Sequence, residues 1–191
     1  MTFKKLFATT AAAALVATAA AADVRLSDTI GTDFDRDTFN TGFADTGYFD
    51  ALDRDRDTML DENEYATGLY ADYDTDNDVL ISQDEFDTAN VRYYGDAYQG
   101  GAFADYDANA DGMLDQGEFG GFYGTDVAPR FAEYDADQDG FLNSDEYASD
   151  LYDTADVNRD AVVTIEEEGF FEGWFDGDDI EAEVQTVGDV M

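Results

Sequence analysis

Residues 135–146 read DADQDGFLNSDE, and this stretch decides the fold. Oxygen-bearing side chains stand at its positions 1, 3, 5 and 12, a glycine at position 6 and an aliphatic residue at position 8. Four more stretches keep the spacing: DRDRDTMLDENE (53–64), DTDNDVLISQDE (74–85), DANADGMLDQGE (107–118) and DVNRDAVVTIEE (156–167). In chain order they are loops 1 to 5, with DADQDGFLNSDE as loop 4. Each has Asp or Asn at positions 1, 3 and 5, an aliphatic residue at 8 and Glu at 12. A hard cation of calcium's size takes six to eight oxygens at about 2.3–2.6 Å, and a twelve-residue loop wraps them around one point.

The candidate ligands follow position by position, with side-chain oxygens at 1, 3, 5 and 12 and a backbone carbonyl at 7. Loop 1 offers Asp53, Asp55, Asp57, Met59 (carbonyl) and Glu64, with Asp61 at position 9. Loop 2 offers Asp74, Asp76, Asp78, Leu80 (carbonyl) and Glu85. Loop 3 offers Asp107, Asn109, Asp111, Met113 (carbonyl) and Glu118, with Asp115 at position 9. Loop 4 offers Asp135, Asp137, Asp139, Phe141 (carbonyl) and Glu146. Loop 5 offers Asp156, Asn158, Asp160, Val162 (carbonyl) and Glu167.

So acidic a chain invites accidental matches, since 35 of its 191 residues are Asp. At that composition chance supplies about a tenth of a match per chain, and five matches lie beyond it. Aromatic or aliphatic residues precede four of the loops (Phe49 and Leu52, Tyr70 and Tyr73, Phe103 and Tyr106, Phe131 and Tyr134). Tyr65, Phe86, Phe119 and Tyr147 follow the closing Glu residues, whereas loop 5 has Glu168 there. Those are the inward positions of helices entering and leaving such loops. Over roughly residues 38–175 the chain resembles the EF-hand superfamily. The resemblance implies an all-α fold, an array of helix–loop–helix units that bind calcium ions.

The N-terminal MTFKKLFATTAAAALVATAAAAD reads as a secretory signal peptide over residues 1–22, cut after Ala20-Ala21-Ala22. Its apolar run is too short to span a membrane, so the expected location is the periplasm or the outside of a bacterium, with no membrane insertion. Residues 23–37 read as an acidic lead, 38–176 as the domain carrying the loops, and 177–191 as an acidic tail. The chain has no Cys, so disulfides cannot staple it in an oxidising compartment. Without the signal, seven Arg face 47 acids, a net charge of 7 − 47 = −40. That charge opposes compaction, yet 15% aromatic residues are too many for a chain meant to stay unfolded. Cations that neutralise the loops reconcile the two. The same charge disfavours nucleic acid and anionic lipid surfaces as partners.

Loop starts fall 21, 33, 28 and 21 residues apart. Between Glu64 and Asp74 lie nine residues, YATGLYADY, about 13.5 Å of helix. One helix must serve loops 1 and 2, and by the same count YASDLYDTA must serve loops 4 and 5. The longest step fits two helices broken near Gly95 and Gly100-Gly101, and loops 2 and 3 are expected to pair side by side. Pro129 is expected to break the connection between loops 3 and 4. An odd number of loops leaves one without a partner, and Asp33-x-Asp35-x-Asp37 reads as an acidic lead into the first helix. Position 6 turns with positive φ, which suits Gly112 and Gly140 but strains Thr58, Val79 and Ala161. The expected order of affinity is loops 3 and 4, then carboxylate-rich loop 1, then loops 2 and 5.

Without His or Cys the chain offers no soft or imidazole ligand for a transition metal and no recognisable nucleophile, so no enzyme is expected. Magnesium prefers a smaller octahedral shell and keeps its waters. Calcium is the expected cofactor, with a lanthanide ion as the rival. The chain is similar to the lanmodulin family of lanthanide-binding EF-hand proteins in its acidity, short inter-loop helices and Asp61 and Asp115 at position 9. It departs in lacking Pro at position 2, where Arg54, Thr75, Ala108, Ala136 and Val157 stand. Loop 5 loosely resembles a dockerin repeat, but the entry helices and closing Glu residues argue against that module. The expected role is a secreted buffer, store or calcium-stabilised module. The alternative is a sensor that docks a protein partner through Phe170, Phe171, Trp174 and Phe175.

Overall fold

The structure, a computed structural model, describes residues 33–94, 99–164 and 167. Its helices are α1 (Arg36–Ala44), α2 (Tyr48–Leu52), α3 (Glu62–Tyr73), α4 (Gln83–Tyr94), α5 (Phe103–Tyr106), α6 (Gln116–Phe122), α7 (Ala128–Tyr134) and α8 (Ser144–Ala155). Two two-residue strands, β1 (Ile81–Ser82) and β2 (Met113–Leu114), and a π-helical turn, Tyr123–Val127, complete the regular structure among the described residues. Each helix that leaves loops 1, 3 and 4 begins one residue after position 9. That residue (Asp61, Asp115 or Asn143) accepts the backbone N–H of the closing Glu, which reaches back in a capping box. Helix α3 leaves loop 1 and enters loop 2, and α8 does the same between loops 4 and 5, as the nine-residue spacings require.

A shared helix holds its two loops at opposite ends, so they cannot pair with each other. Loop 2 pairs with loop 3 through β1 and β2, with Ile81 opposite Leu114. Loop 1 pairs with loop 4 through an antiparallel bridge between Leu60 and Leu142. Loop 5 also has a partner, against the expectation that an odd loop stays alone. Val163 and Phe34 exchange backbone hydrogen bonds of 2.9 and 3.1 Å. The acidic lead therefore runs beside loop 5 before Asp35 caps α1 by accepting the Thr38 N–H at 2.9 Å. All five position-8 residues (Leu60, Ile81, Leu114, Leu142 and Val163) are fully buried at these bridges, which explains their aliphatic character.

Pro129 does not break the chain. Helix α6 runs into a π-helical turn, Tyr123–Val127, and Pro129 sits in the first turn of α7. There its missing N–H is no loss, and the wider turn supplies the change of direction. Between loops 2 and 3 the helices do separate, with α4 ending at Tyr94 and α5 starting at Phe103. Tyr106 Oη accepts the Gly101 N–H at 3.1 Å, closing that connection. Gly95 and the aromatic residues 170–175 lie outside the described residues. Among the described residues no helix is long and apolar enough to cross a membrane.

The core is aromatic. Under the loop 2–loop 3 pair, Phe86 and Phe122 meet edge to face at 5.1 Å, as do Tyr70 and Phe119. Under the loop 1–loop 4 pair, Tyr147 packs on Phe43, Tyr48, Phe49 and Tyr65. Two carboxylates enter from the shared helices. Asp72 of α3 accepts the hydroxyls of Tyr48 (3.0 Å) and Tyr93 (2.8 Å). Asp150 of α8, almost wholly buried, accepts the hydroxyl of Tyr65 at 2.8 Å and Nε of Arg130 at 2.5 Å. Tyrosine hydroxyls and one guanidinium thus satisfy charges that burial alone would penalise.

Burial pushes the phenols of Tyr65, Tyr93 and Tyr147 well above their usual 10.0, helped by the charge of Asp150 beside the first and Asp72 beside the others. The fold keeps these groups neutral. The stability they contribute is full below the unfolded value and is lost as pH rises past about 10. In an alkaline titration followed by tyrosinate absorbance and circular dichroism, these tyrosines are expected to ionise only with loss of helix. Ionisation of all 12 tyrosines near pH 10 with helices intact would contradict the arrangement.

Candidate metal centre

The five loops share one hydrogen-bonding scheme, built from backbone N–H groups turned inward onto carboxylates. The position-1 Asp accepts from the N–H groups of positions 5 and 6: Asp53 from Asp57 (3.1 Å) and Thr58 (2.8 Å), Asp74 from Asp78 (3.1 Å) and Val79 (2.8 Å). Asp107, Asp135 and Asp156 do the same at 3.0–3.2 Å. Position 3 (Asp55, Asp76, Asn109, Asp137, Asn158) accepts from position 5. Position 5 (Asp57, Asp78, Asp111, Asp139, Asp160) accepts from the N–H of position 7 (Met59, Leu80, Met113, Phe141, Val162).

The closing Glu spans the loop. One oxygen of Glu64 accepts from Arg54 at 2.7 Å and the other from Asp61 at 3.1 Å. Glu85, Glu118, Glu146 and Glu167 bridge the same two sides of their loops. The scheme brings like charges together. In loops 1, 2 and 4 one oxygen from each of three acids lies within 4.8 Å of the others: Asp53, Asp55 and Asp57; Asp74, Asp76 and Glu85; Asp135, Asp137 and Glu146. Loops 3 and 5 carry Asn109 and Asn158 at position 3.

Each position-1 Asp is also the C-cap of its entry helix, its N–H donating to the carbonyl four residues earlier at 2.9–3.1 Å. A carboxylate there faces the negative end of the helix dipole. None of the five entry helices has a basic residue in its last turn. The ion pairs of Arg36 and Arg130 go to Asp153 and Asp150, outside every loop. Asp53, Glu64, Asp74 and Asp156 are buried as well. Burial holds Asp74 above the ordinary carboxylate range, and it raises Glu64 with a contribution from the Asp61 charge. In loops 2 and 5 burial acts the same way, but hydrogen bonds led by Ser82 and Thr164 prevail and bring Glu85 and Glu167 below it. The donor set is all oxygen, negatively charged and convergent, which fits a hard cation.

Residues 127–151 match the EF hand family model. The match covers α7, loop 4 and the first turns of α8, one of the two units with glycine at position 6. This is an all-α EF-hand fold. Neither a curated protein nor a solved structure matches the chain. The family match and the acidic loop clusters together support the EF-hand superfamily and binding of a divalent metal.

Backbone conformation sets the loops apart. Position 6 is left-handed in all five, at φ 73° for Thr58, 69° for Val79, 87° for Gly112, 89° for Gly140 and 68° for Ala161. Sequence reasoning missed position 4, which is also left-handed: Arg56, Asn77, Ala110, Gln138 and Arg159 lie at φ 57–63°. Only Asn77 is a residue type that signals such a turn. One hydroxyl also escaped notice. Tyr70, four residues before loop 2, donates to the carbonyls of Val79 (2.8 Å) and Leu114 (3.3 Å) and so ties loop 2 to loop 3. Tyr152 holds the same place before loop 5, and its hydroxyl has no partner among the described residues.

A Cβ at Gly112 or Gly140 would meet nothing within 4 Å, so the glycine requirement is purely conformational. Val79 is 39% exposed, and its removal costs little packing. Val79→Gly is therefore expected to tighten cation binding by loop 2 by about five- to thirtyfold. Part of the gain is offset by the freer unbound loop. Isothermal titration of variant and parent checks this, and weaker binding by Val79→Gly would show that carboxylate count, not backbone strain, ranks the loops.

Proposed function

We propose that the protein is a secreted or periplasmic calcium-binding protein of EF-hand type that buffers or stores the ion, or is held folded by it, without catalysis. The observation that carries this reading is the set of five Asp carboxylates at helix C-termini that lack any basic residue, each within a loop closed by a Glu. The proposed ligands are the side chains at positions 1, 3, 5 and 12 and the carbonyls at position 7, as the sequence orders them. In loops 1, 3 and 4 position 9 serves first as a helix cap; Asp61 and Asp115 keep a second oxygen for an ion, whereas Asn143 reaches one through a water. A filled site removes both the repulsion among the carboxylates and the conflict with the helix dipole. With free calcium at about 100 times Kd, each site adds about 2.7 kcal/mol to the folded state. Five such sites are of the order of a whole domain's stability.

A lanthanide-binding role is the second reading, supported by Asp61 and Asp115 at position 9. They bring the carboxylates at ligand positions to five in loop 1 and four in loop 3. A sensor role would use the aromatic cluster at residues 170–175, outside the described residues.

Chelator-treated protein at low salt is expected to be expanded, and millimolar calcium to restore compact helix, read by circular dichroism and hydrodynamic radius. Titration heats should show Asp135→Ala or Glu146→Gln lowering the tight calcium stoichiometry by one. A chelated form as helical and compact as the calcium form would show that the aromatic core stands alone.

A further inference from the structure

Four residues before the opening Asp of each loop stand Phe49, Tyr70, Phe103, Phe131 and Tyr152. The three Phe carry no hydroxyl, and that of Tyr152 has no hydrogen-bond partner among the described residues. Tyr70, fully buried in α3, is the exception in this set. Its hydroxyl donates to the Val79 carbonyl at 2.8 Å and to the Leu114 carbonyl at 3.3 Å, a three-centre bond that spans two loops. Val79 is the left-handed position 6 of loop 2, at φ 69°, and Leu114 is position 8 of loop 3. Each carbonyl belongs to a peptide group whose N–H holds a candidate ligand. After Val79 comes the N–H of Leu80, which donates to Asp78 at 2.9 Å. After Leu114 comes the N–H of Asp115, which donates to Glu118 at 3.2 Å. A peptide group is planar and stiff, so fixing its carbonyl fixes its N–H. A continuous path thus runs from Asp78 through the Val79–Leu80 peptide, the Tyr70 hydroxyl and the Leu114–Asp115 peptide to Glu118.

We propose that Tyr70 is a positioning residue that couples ion binding in loop 2 to ion binding in loop 3, so that filling either loop prepares the other. The proposal rests on the calcium reading above. One hydroxyl holds both carbonyls only while both turns keep their shape. An ion in loop 2 fixes Asp78 and, through the Val79–Leu80 peptide, the hydroxyl. Leu114 and Glu118 are then already ordered when loop 3 fills, and the second ion meets a smaller ordering cost. Hydrogen bonds in such a chain also polarise one another inside a protein. The hydroxyl lies within reach of both ligand sets: after burial, the charges of Asp74, Asp115, Asp78 and Glu85 hold the phenol above its usual 10.0 and keep it a donor. The loop 1–loop 4 pair has the backbone bridge Leu60–Leu142 but Phe49 and Phe131 at the corresponding places, and so lacks this link. Loop 5, whose bridge partner Phe34 lies in the acidic lead, lacks it too.

The position-6 N–H of Gly112 donates to Asp107 and that of Gly140 to Asp135, each at 3.0 Å, so their amide resonances report the filling of loops 3 and 4 separately. Calcium is titrated into full-length, isotope-labelled protein with and without Glu85→Gln, which silences loop 2. In the parent, Glu85→Gln is expected to move the Gly112 midpoint to higher calcium. In the Tyr70→Phe background that displacement should be smaller by about two- to tenfold, the net worth of one hydrogen bond. The β1–β2 pairing carries the coupling that remains. Tyr152→Phe removes a buried hydroxyl that has no partner, and it should leave the Gly112 displacement as in the parent. Gly140 should not respond to Tyr70→Phe, whereas a general loss of packing would move Gly112 and Gly140 together. A Gly112 midpoint that ignores Glu85→Gln in the parent, or moves equally with and without Tyr70→Phe, would overturn the proposal. So would a Gly140 response as large as that of Gly112. Position-6 amides that ignore calcium in the parent would instead overturn the calcium reading itself, and the coupling with it.

Discussion

Everything in this fold depends on the shortness of the link between a closing Glu and the next opening Asp. In most helix–loop–helix pairs two neighbouring loops lie side by side because each has its own helices. Here Tyr65–Tyr73 and Tyr147–Ala155 are single helical rods, and a rod cannot bring its own ends together. Each loop must find a partner from elsewhere in the chain, and the pairings Ile81–Leu114, Leu60–Leu142 and Phe34–Val163 follow. Both shared helices carry a carboxylate against the tyrosines, Asp150 buried and Asp72 half-buried. Carboxylates set against the core need hydroxyl donors, and tyrosine supplies apolar area and a donor in one side chain.

The loops show a second constraint, between electrostatics and backbone. Their carboxylates are held by inward N–H groups with nearly the same geometry whether position 6 is glycine or not. Asp74 receives its two N–H groups at 3.1 and 2.8 Å with Val79 at the turn, Asp135 at 3.1 and 3.0 Å with Gly140. The N–H geometry is kept while the turn closes from φ 87–89° at Gly112 and Gly140 to 68–73° at Thr58, Val79 and Ala161, still left-handed for a residue with a side chain. The cost stays in the φ angle of that residue, and it distinguishes loops whose ligand sets look alike.

Much of this was legible in the sequence. The loops, the inward aromatics and the shared helices follow from residue type and spacing, because ligand positions and helix length are local properties. The partner of loop 5 was not legible. Phe34 lies within a run of acids, and nothing local distinguishes an apolar residue that meets Val163 from one that merely precedes a helix. Pro129 misled for the opposite reason: its local preference is strong, but a π turn just before it placed it where a helix tolerates proline. The left-handed position 4 escaped because four of its five occupants, Arg56, Ala110, Gln138 and Arg159, carry no turn signal.

The three bridges are nested, the Ile81–Leu114 contact inside Leu60–Leu142 and both inside Phe34–Val163. Nesting gives assembly a direction. Closing the outermost contact first would restrict most of the chain at once, at a loss in entropy that grows with the logarithm of the loop. Once the innermost pair has formed, the next closure spans only the two flanking segments, and the third only what remains outside them. Loop-closure entropy alone therefore favours closure from the middle outwards, the bridge beside loop 5 spanning the longest stretch of chain.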